Sequence, residues 1–180
     1  MGGLNALRKL LVNLPESFPL PLAVVQHRSK SENGDLAAFL QKSCVLPVME
    51  VEDKDAIACG CVHLAPADYH LLVDRAGFAL STEAPVECAR PSIDVLFESA
   101  ADIYGAGTIG VVLTGSSRDG AQGAARIKER DGLLIVQDPA SAECAIMPAA
   151  VKAGCAPDEV LALEEIGPHL VEFSCGMVKV

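Results

Sequence analysis

Two side chains suited to acid–base chemistry follow apolar runs in this sequence. His27 comes just after the run 22–25, and Asp119 lies in the turn that follows the run 108–113. Histidine changes charge near neutral pH, so it suits the role of general base. A carboxylate beside it can hold one imidazole nitrogen protonated and leave the other free to accept a proton. The two residues indicate a pair that could activate a nucleophile.

Each residue also has a structural interpretation. His27 could cap or hydrogen-bond its own loop, and Asp119 could cap the helix predicted to follow it, because aspartate accepts backbone N–H bonds at that position. A carboxylate has two oxygens, so capping a helix and orienting a histidine are compatible. Both interpretations stay open at this point.

The elements that must position this pair alternate between helical and extended patterns. Leucines at positions 4, 7, 11 and 14 predict an amphipathic helix that Pro15 ends, and short apolar runs predict buried parallel strands. The helix after Gly34 is expected to turn Leu36, Phe39 and Leu40 inward. Further strands are predicted over 62–65, 69–73, 78–81, 108–113, 133–136 and 160–161, and further helices over 92–104, 119–130, 148–153 and 166–173.

This order predicts an α/β fold: a doubly wound, mainly parallel sheet with helices on both faces and an antiparallel hairpin near one edge. The strands 69–73 and 78–81, joined by the turn 74–77, would form that hairpin. Functional sites in such sheets lie beyond the carboxyl ends of the strands. His27 and Asp119 both fall there, so we expect them to meet at that edge.

Two other motifs carry no prediction of a site. The segment 105–110 spells G-x-G-x-x-G, but a helix precedes it and a strand follows it, the reverse of the dinucleotide fingerprint. Cys59, Cys61 and His63 resemble part of a metal cluster, yet no second pair has zinc-site spacing, so no metal is expected. The seven cysteines are odd in number and irregularly spaced, which predicts buried or half-buried thiols rather than disulfides.

Length and charge limit the function classes. The 180 residues predict one domain over 1–180, and the net charge of −10 disfavours nucleic acid and anionic membranes as partners. No apolar run approaches the about 18 residues of a membrane span, and the N-terminus lacks the pattern of a secretory signal. The expected location is the cytoplasm.

Several segments together carry a family resemblance. In chain order they are Gly2-Gly3 before an Ala-Leu helix, 24–27 (VVQH), 64–70 (LAPADYH), 90–97 (RPSIDVLF), 113–115 (LTG) leading to 119–121 (DGA), Gln137-Asp138 and Met147-Pro148. The chain resembles the catalytic domain of the chemotaxis-type protein-glutamate methylesterases. Each segment alone is weak, but their order across nearly the whole chain is specific.

The resemblance implies a cofactor-free serine hydrolase. Such an enzyme removes methyl groups from glutamyl methyl esters on the cytoplasmic domain of chemoreceptors and releases methanol, using a Ser-His-Asp triad. His27 matches the family's base and Asp119 its orienting carboxylate. The substrate or oxyanion region would include Gly2, Gly3, Arg90 and Ser116, and Arg90 could instead tie its loop to a neighbouring one.

The chain departs from the family at the nucleophile. The family's serine lies in a G-x-S-x-G-G turn, and Gly2-Gly3 match its closing glycines, so Met1 stands just after the serine's position. Ser29 and Ser31 lie on the loop of His27, and Ser116 and Ser117 replace the family's usual Met-Gly. Arg28 also replaces a usual methionine.

We therefore expect a sequence that starts after the nucleophile and its strand, inactive as it stands. An apolar groove should mark the place of that strand, and residues 2–4 should lie beside the His–Asp pair. One alternative is a non-catalytic relative that binds a receptor or signalling partner. The other is a small-ligand-binding α/β domain unrelated to chemotaxis.

Overall fold

The computed structural model describes residues 2–28 and 35–177, and six α-helices and eight strands lie within these ranges. The helices are α1 (Gly3–Leu11), α2 (Leu36–Gln41), α3 (Ile93–Tyr104), α4 (Ala121–Glu129), α5 (Ile146–Gly154) and α6 (Leu163–Met177). The strands are β1 (Leu22–Val24), β2 (Val48–Glu50), β3 (Val62–Leu64), β4 (His70–Val73), β5 (Phe78–Ser81), β6 (Ile109–Val112), β7 (Leu133–Gln137) and β8 (Glu159–Leu161).

The parallel strands form two groups of three. One group has the order β1-β3-β2, with Leu22 opposite Val62, and the other has the order β6-β7-β8, with Ile109 opposite Leu133. The antiparallel hairpin β4-β5 forms a third, two-stranded sheet. The predicted α/β class, with parallel strands, helices and an antiparallel hairpin, is confirmed.

Helices cover both faces of the second group of strands. Successive side chains of a strand point to opposite faces. Along β7, Ile135 belongs to the core that α1 and α6 complete, whereas its neighbours Leu134 and Val136 belong to the core of α4 and α5. All three side chains are fully buried. This alternation is the packing of a doubly wound sheet.

Some predicted details are wrong. Phe39, expected to face inward, is 45% exposed. The strand β2 was not predicted, since it has only three residues and two of them are exposed. The antiparallel hairpin is present as predicted, and it packs on α3, sharing a core with Leu96.

The cysteines differ in part from the expectation. All seven are free thiols, but Cys59, Cys88 and Cys175 are exposed. Cys59 lies on the turn before β3, and Cys88 has a positive φ of 64° in a tight loop. Turn positions hold these two side chains away from the core. Over the described ranges, no helix is long and apolar enough to cross a membrane.

Candidate active site

His27 and Asp119 meet where β1 and β6 end. The Nε2–H of His27 donates a hydrogen bond of 2.5 Å to Oδ2 of Asp119. The carboxylate is fully buried, and the imidazole side chain is 28% exposed. Because the proton is held on Nε2, Nδ1 is the nitrogen that can accept a proton from a nucleophile.

Asp119 is anchored by a helix other than its own. Its Oδ2 accepts from the Ile93 amide (2.7 Å), and its Oδ1 accepts from the Asp94 amide (3.0 Å) and the Ser92 hydroxyl (2.7 Å). These groups form the N-terminus of α3, whose cap residue is Ser92. The sequence indicated a cap for α4, but α4 begins at Ala121 with Gly120 as its cap residue.

These contacts fix the charge of Asp119. Burial raises the pKa of this carboxyl, but the hydrogen bonds from His27, from the Asp94 and Ile93 amides and from Ser92 outweigh it. The net pKa lies below the usual value for aspartate, so the group is an anion at neutral pH. A buried anion can hold the Nε2 proton of His27 in place.

The start of α1 and His27 line one cavity. Gly2, with a φ of +91°, is the cap residue, and the first intrahelical bond runs from the Ala6 amide to the Gly2 carbonyl (2.9 Å). The amides of Gly3 and Leu4 precede it and so have no partner within the helix. A Cβ on Gly3 would lie 3.2 Å from Oε1 of Gln26. Glycine therefore lets α1 begin close to the histidine loop.

Ser116 lies at the rim of this cavity on a pinned loop. The Thr114 amide donates to Oε1 of the buried Gln137 (2.8 Å), and the Gly115 amide donates to the Cys144 carbonyl (3.2 Å). A Cβ on Gly115 would lie 2.7 Å from Cε of Met147. The loop after β6 is thus fixed against the segment before α5, with Ser116 exposed.

The cavity continues as a long groove between β1 and β6, here called the central groove, with a volume of about 720 Å³. Gly2, Gly3, His27 and Ser116 line one end. Beyond them the lining is mainly apolar and comes from β1, β6 and α1, with Leu22, Val24, Ile109, Val111, Leu7 and Leu11 as members. The strands β1 and β6 each pair on one side only, with β3 and β7, so their other edges face the groove.

Arg90 and Arg28 are both tied to neighbouring loops. Arg90 does not line the groove; its guanidinium donates to Oδ1 of Asp68 (2.5 Å) and to the carbonyls of Thr82 (2.8 Å) and Glu83 (3.0 Å). The Arg28 side chain is only 8% exposed and lines the groove. Arg28 pairs with Glu50 and donates to the Ala65 carbonyl (3.2 Å). It ties the histidine loop to the ends of β2 and β3.

No group of three or more His, Cys, Asp or Glu side chains in the described part of the chain is arranged to hold a metal ion. His63, one of the three residues that resemble a cluster, is fully buried. Its Nδ1–H donates to the Leu22 carbonyl (3.3 Å), and its Nε2 accepts from the Ala58 amide (3.4 Å). Burial lowers the pKa of His63. The imidazole is therefore a neutral core group.

Parallel strands covered by helices, with a His–Asp pair at their carboxyl ends, define an α/β protein of the kind that supports hydrolases. The chain belongs to the CheB methylesterase family, whose model matches residues 1–170. This match contradicts the interpretation of a ligand-binding domain unrelated to chemotaxis.

Relatives and a solved structure agree with this assignment. A protein of Leptospira interrogans, provisionally named a protein-glutamate methylesterase/protein-glutamine glutaminase, is 44% identical over 173 residues, which are 96% of this chain and 90% of that protein. The protein-glutamate methylesterase FrzG of Myxococcus xanthus is 39% identical over 96% of this chain, which spans only 52% of FrzG. The crystal structure of the Thermotoga maritima CheB methylesterase catalytic domain superposes with a TM-score of 0.91 at 34% identity, covering 96% of this chain and 93% of that one.

Proposed function

We propose that this chain is the methylesterase module of a protein that hydrolyses glutamyl methyl esters on the cytoplasmic domain of chemoreceptors. His27 acts as general base and Asp119 as its orienting carboxylate. The observation that carries the proposal is the 2.5 Å contact between His27 and the buried Asp119 at the end of the central groove. Family membership and the names of the relatives support the same activity.

The nucleophile in this proposal is a serine on a strand that occupies the central groove. The unpaired edges of β1 and β6 offer backbone partners on both sides of such a strand, and the apolar lining suits a buried one. A strand as long as the four-residue β6 would span about 13 Å. It would end between His27 and the Gly2-Gly3 turn, where a serine can reach the imidazole.

The reaction then has two halves. The serine hydroxyl attacks the ester carbonyl as His27 takes its proton, and the amides at the start of α1 stabilise the oxyanion. Collapse of this intermediate breaks the bond to the methoxy group, which leaves as methanol with the proton from His27. Water, deprotonated by His27, cleaves the acyl-enzyme to free the glutamyl carboxylate and the serine.

The test is methanol release from methylated receptor. We expect none from residues 1–180 alone, and restoration when the native in-frame segment ending in G-x-S-x is joined before Met1. In the extended protein, changing that serine or His27 to Ala should each abolish most of the rate without additive losses, since the triad acts as a unit. Methanol release by residues 1–180 that survives His27→Ala would contradict the proposal.

A non-catalytic relative is the second candidate. It is compatible with the contacts of His27: of the serines in the described residues, none hydrogen-bonds to the His27 ring, and Ser29 and Ser31 lie outside those residues. Receptor binding without methanol release by the extended protein would support this alternative.

Arg90 remains a proposed member of the substrate region, through pairing with carboxylates on the receptor. Its guanidinium nitrogens all have partners within the chain, which favours the structural role. Receptor affinity of Arg90→Ala, compared with Arg75→Ala in the exposed turn of the hairpin, separates the two roles. An affinity equal to that of the control removes Arg90 from the binding region.

A further inference from the structure

The helices α3 and α4 exchange caps. Asp119, just before α4, accepts from the amides of Ile93 and Asp94 at the start of α3. In return Oδ1 of Asp94, in the first turn of α3, accepts from the amides of Gly120 (2.8 Å) and Gly123 (2.7 Å) at the start of α4. Each helix N-terminus is therefore capped by a carboxylate from the chain segment of the other.

This exchange requires close helices. A Cβ on Gly123 would lie 2.5 Å from Cβ of Phe97 and 3.0 Å from Cα of Asp94. A Cβ on Gly120, whose φ is +98°, would lie 2.9 Å from Cγ2 of Ile93. Both glycines permit the backbone contact on which the Asp94 hydrogen bonds depend.

Asp94 has an unusual environment for a cap. The residue is 3% exposed, and its Oδ2 is buried without a hydrogen-bond partner. Burial raises the pKa of Asp94 to about 6, and the nearby charges of Asp119 and Glu98 add to this effect, against the lowering by the Gly123 and Gly120 amides. A buried oxygen without a partner costs free energy and calls for an explanation. The other oxygen, Oδ1, acts next to the candidate catalytic pair, because its partner Gly120 directly follows Asp119.

We propose that Asp94 is a positioning residue for the His–Asp pair. Its Oδ1 fixes the Gly120 amide, and so the backbone that carries Asp119, at the distance where Oδ2 of Asp119 meets Nε2 of His27. This inference rests on the proposed function for its catalytic meaning, but the contact it concerns exists without a nucleophile.

The acceptor role distinguishes two substitutions. Asp94→Asn keeps a carbonyl oxygen in place of Oδ1, so Gly120 and Gly123 keep their partner. Asp94→Ala removes that acceptor and leaves two buried amides unpaired. If Asp94 positions the pair, Asp94→Asn should preserve the contact between His27 and Asp119, and Asp94→Ala should not.

The test is NMR of residues 1–180 with labelled histidine, following exchange of the His27 imidazole N–H with water. We expect slow exchange in the wild type and in Asp94→Asn, and exchange at least about tenfold faster in Asp94→Ala, because the strong acceptor is displaced. The buried His63 N–H, bonded to the Leu22 carbonyl, reports in the same spectra that the fold is intact.

Unchanged His27 exchange in folded Asp94→Ala, or loss in Asp94→Asn as well, would overturn the proposal. If the His63 signal shows that the alanine variant does not fold, Asp94→Ser takes its place with the same expectation, since serine is too short to reach both amides. Absence of methanol release from the extended protein would count against the proposed function alone, because the NMR measurement of His27 exchange needs no nucleophile.

Discussion

At the scale of single residues, Asp119 stabilises the fold as well as orienting His27. Three donors from residues 92–94 end on its buried carboxylate. Asp119→Ala should lower the free energy of unfolding by about 2–4 kcal/mol, since it leaves buried donors unpaired and removes a helix cap. Urea denaturation measures this loss.

The control is Asp102→Ala, in the last turn of α3, where the side chain is half-exposed in ion pairs with Arg126 and Arg130. Because water screens such exposed pairs, Asp102→Ala should lower the free energy of unfolding far less than Asp119→Ala. An equal loss in both variants would show that the hydrogen bonds to Asp119 contribute little.

Asp94 should make stability depend on pH. Its folded-state pKa of about 6 lies above the ordinary 3.8, so the folded protein holds this proton more tightly than the unfolded chain. The stability from the protonated form is full below about pH 4 and is lost as the pH rises through 6, amounting to about 3 kcal/mol.

The measurement is the free energy of unfolding of the wild type minus that of Asp94→Asn at pH 4 and at pH 7. Asp119 titrates in both proteins, so its opposite contribution largely cancels in the difference. A difference that stays constant between the two pH values would contradict the pKa of Asp94.

The position of His27 and Asp119 could be anticipated from the sequence, but the partners of Asp119 could not. Both residues follow apolar runs, and parallel strands end at one edge of a sheet. The donors on Asp119 come from residues 92–94, which only tertiary packing brings near. A local pattern such as Asp119-Gly120-Ala121 indicates a cap for its own helix, and here the positive φ of Gly120 breaks that relation.

At the scale of elements, the contact between α3 and α4 depends on Gly123. Alanine favours a helix over glycine by about 1 kcal/mol, but its Cβ would overlap Phe97. Gly123→Ala should therefore lower the free energy of unfolding by about 1–3 kcal/mol through overpacking. Thermal or urea unfolding checks this value.

Gly154→Ala in α5 is the control for this prediction, because the nearest atom to its Cβ would be the Ala121 carbonyl oxygen at an ordinary 3.9 Å. It should be neutral or stabilising. If both variants behave alike, helix propensity and not the close approach decides the outcome.

The strength of the local signal explains which elements the sequence could predict. The sequence predicts the hairpin because apolar runs flank the turn 74–77. It predicts β7 because residues 133–136 form a continuous apolar run. The short β2 has no such pattern. Phe39 fits a helical stripe, yet it lines the central groove, which only the arrangement of β1 and β6 creates.

At the scale of the whole molecule, the split between the strand groups should be visible in hydrogen exchange. Each of β3 and β7 has strand partners on both sides, whereas β1 and β6 have one free edge. We expect the amides of β1 and β6 that face the groove to exchange faster than those of β3 and β7 in native-state exchange. Joining a strand segment that ends in G-x-S-x before Met1, as the proposed function requires, should slow the exchange of these amides, with β7 as the internal reference. Equal protection before and after extension would argue against a strand in the groove.

The hydrogen bond between His27 and Asp119 also depends on the width of the central groove. His27 follows β1 on one side of the groove, and Asp119 follows β6 on the other side. If β1 and β6 moved apart by even one strand spacing of about 4.8 Å, the 2.5 Å distance between Nε2 of His27 and Oδ2 of Asp119 would become too long for a hydrogen bond. The hydrogen bond between His27 and Asp119 thus joins the two groups of parallel strands. Substitutions that separate β1 from β6 should therefore break the hydrogen bond between His27 and Asp119, and the proposed strand must enter the groove without moving β1 and β6 apart.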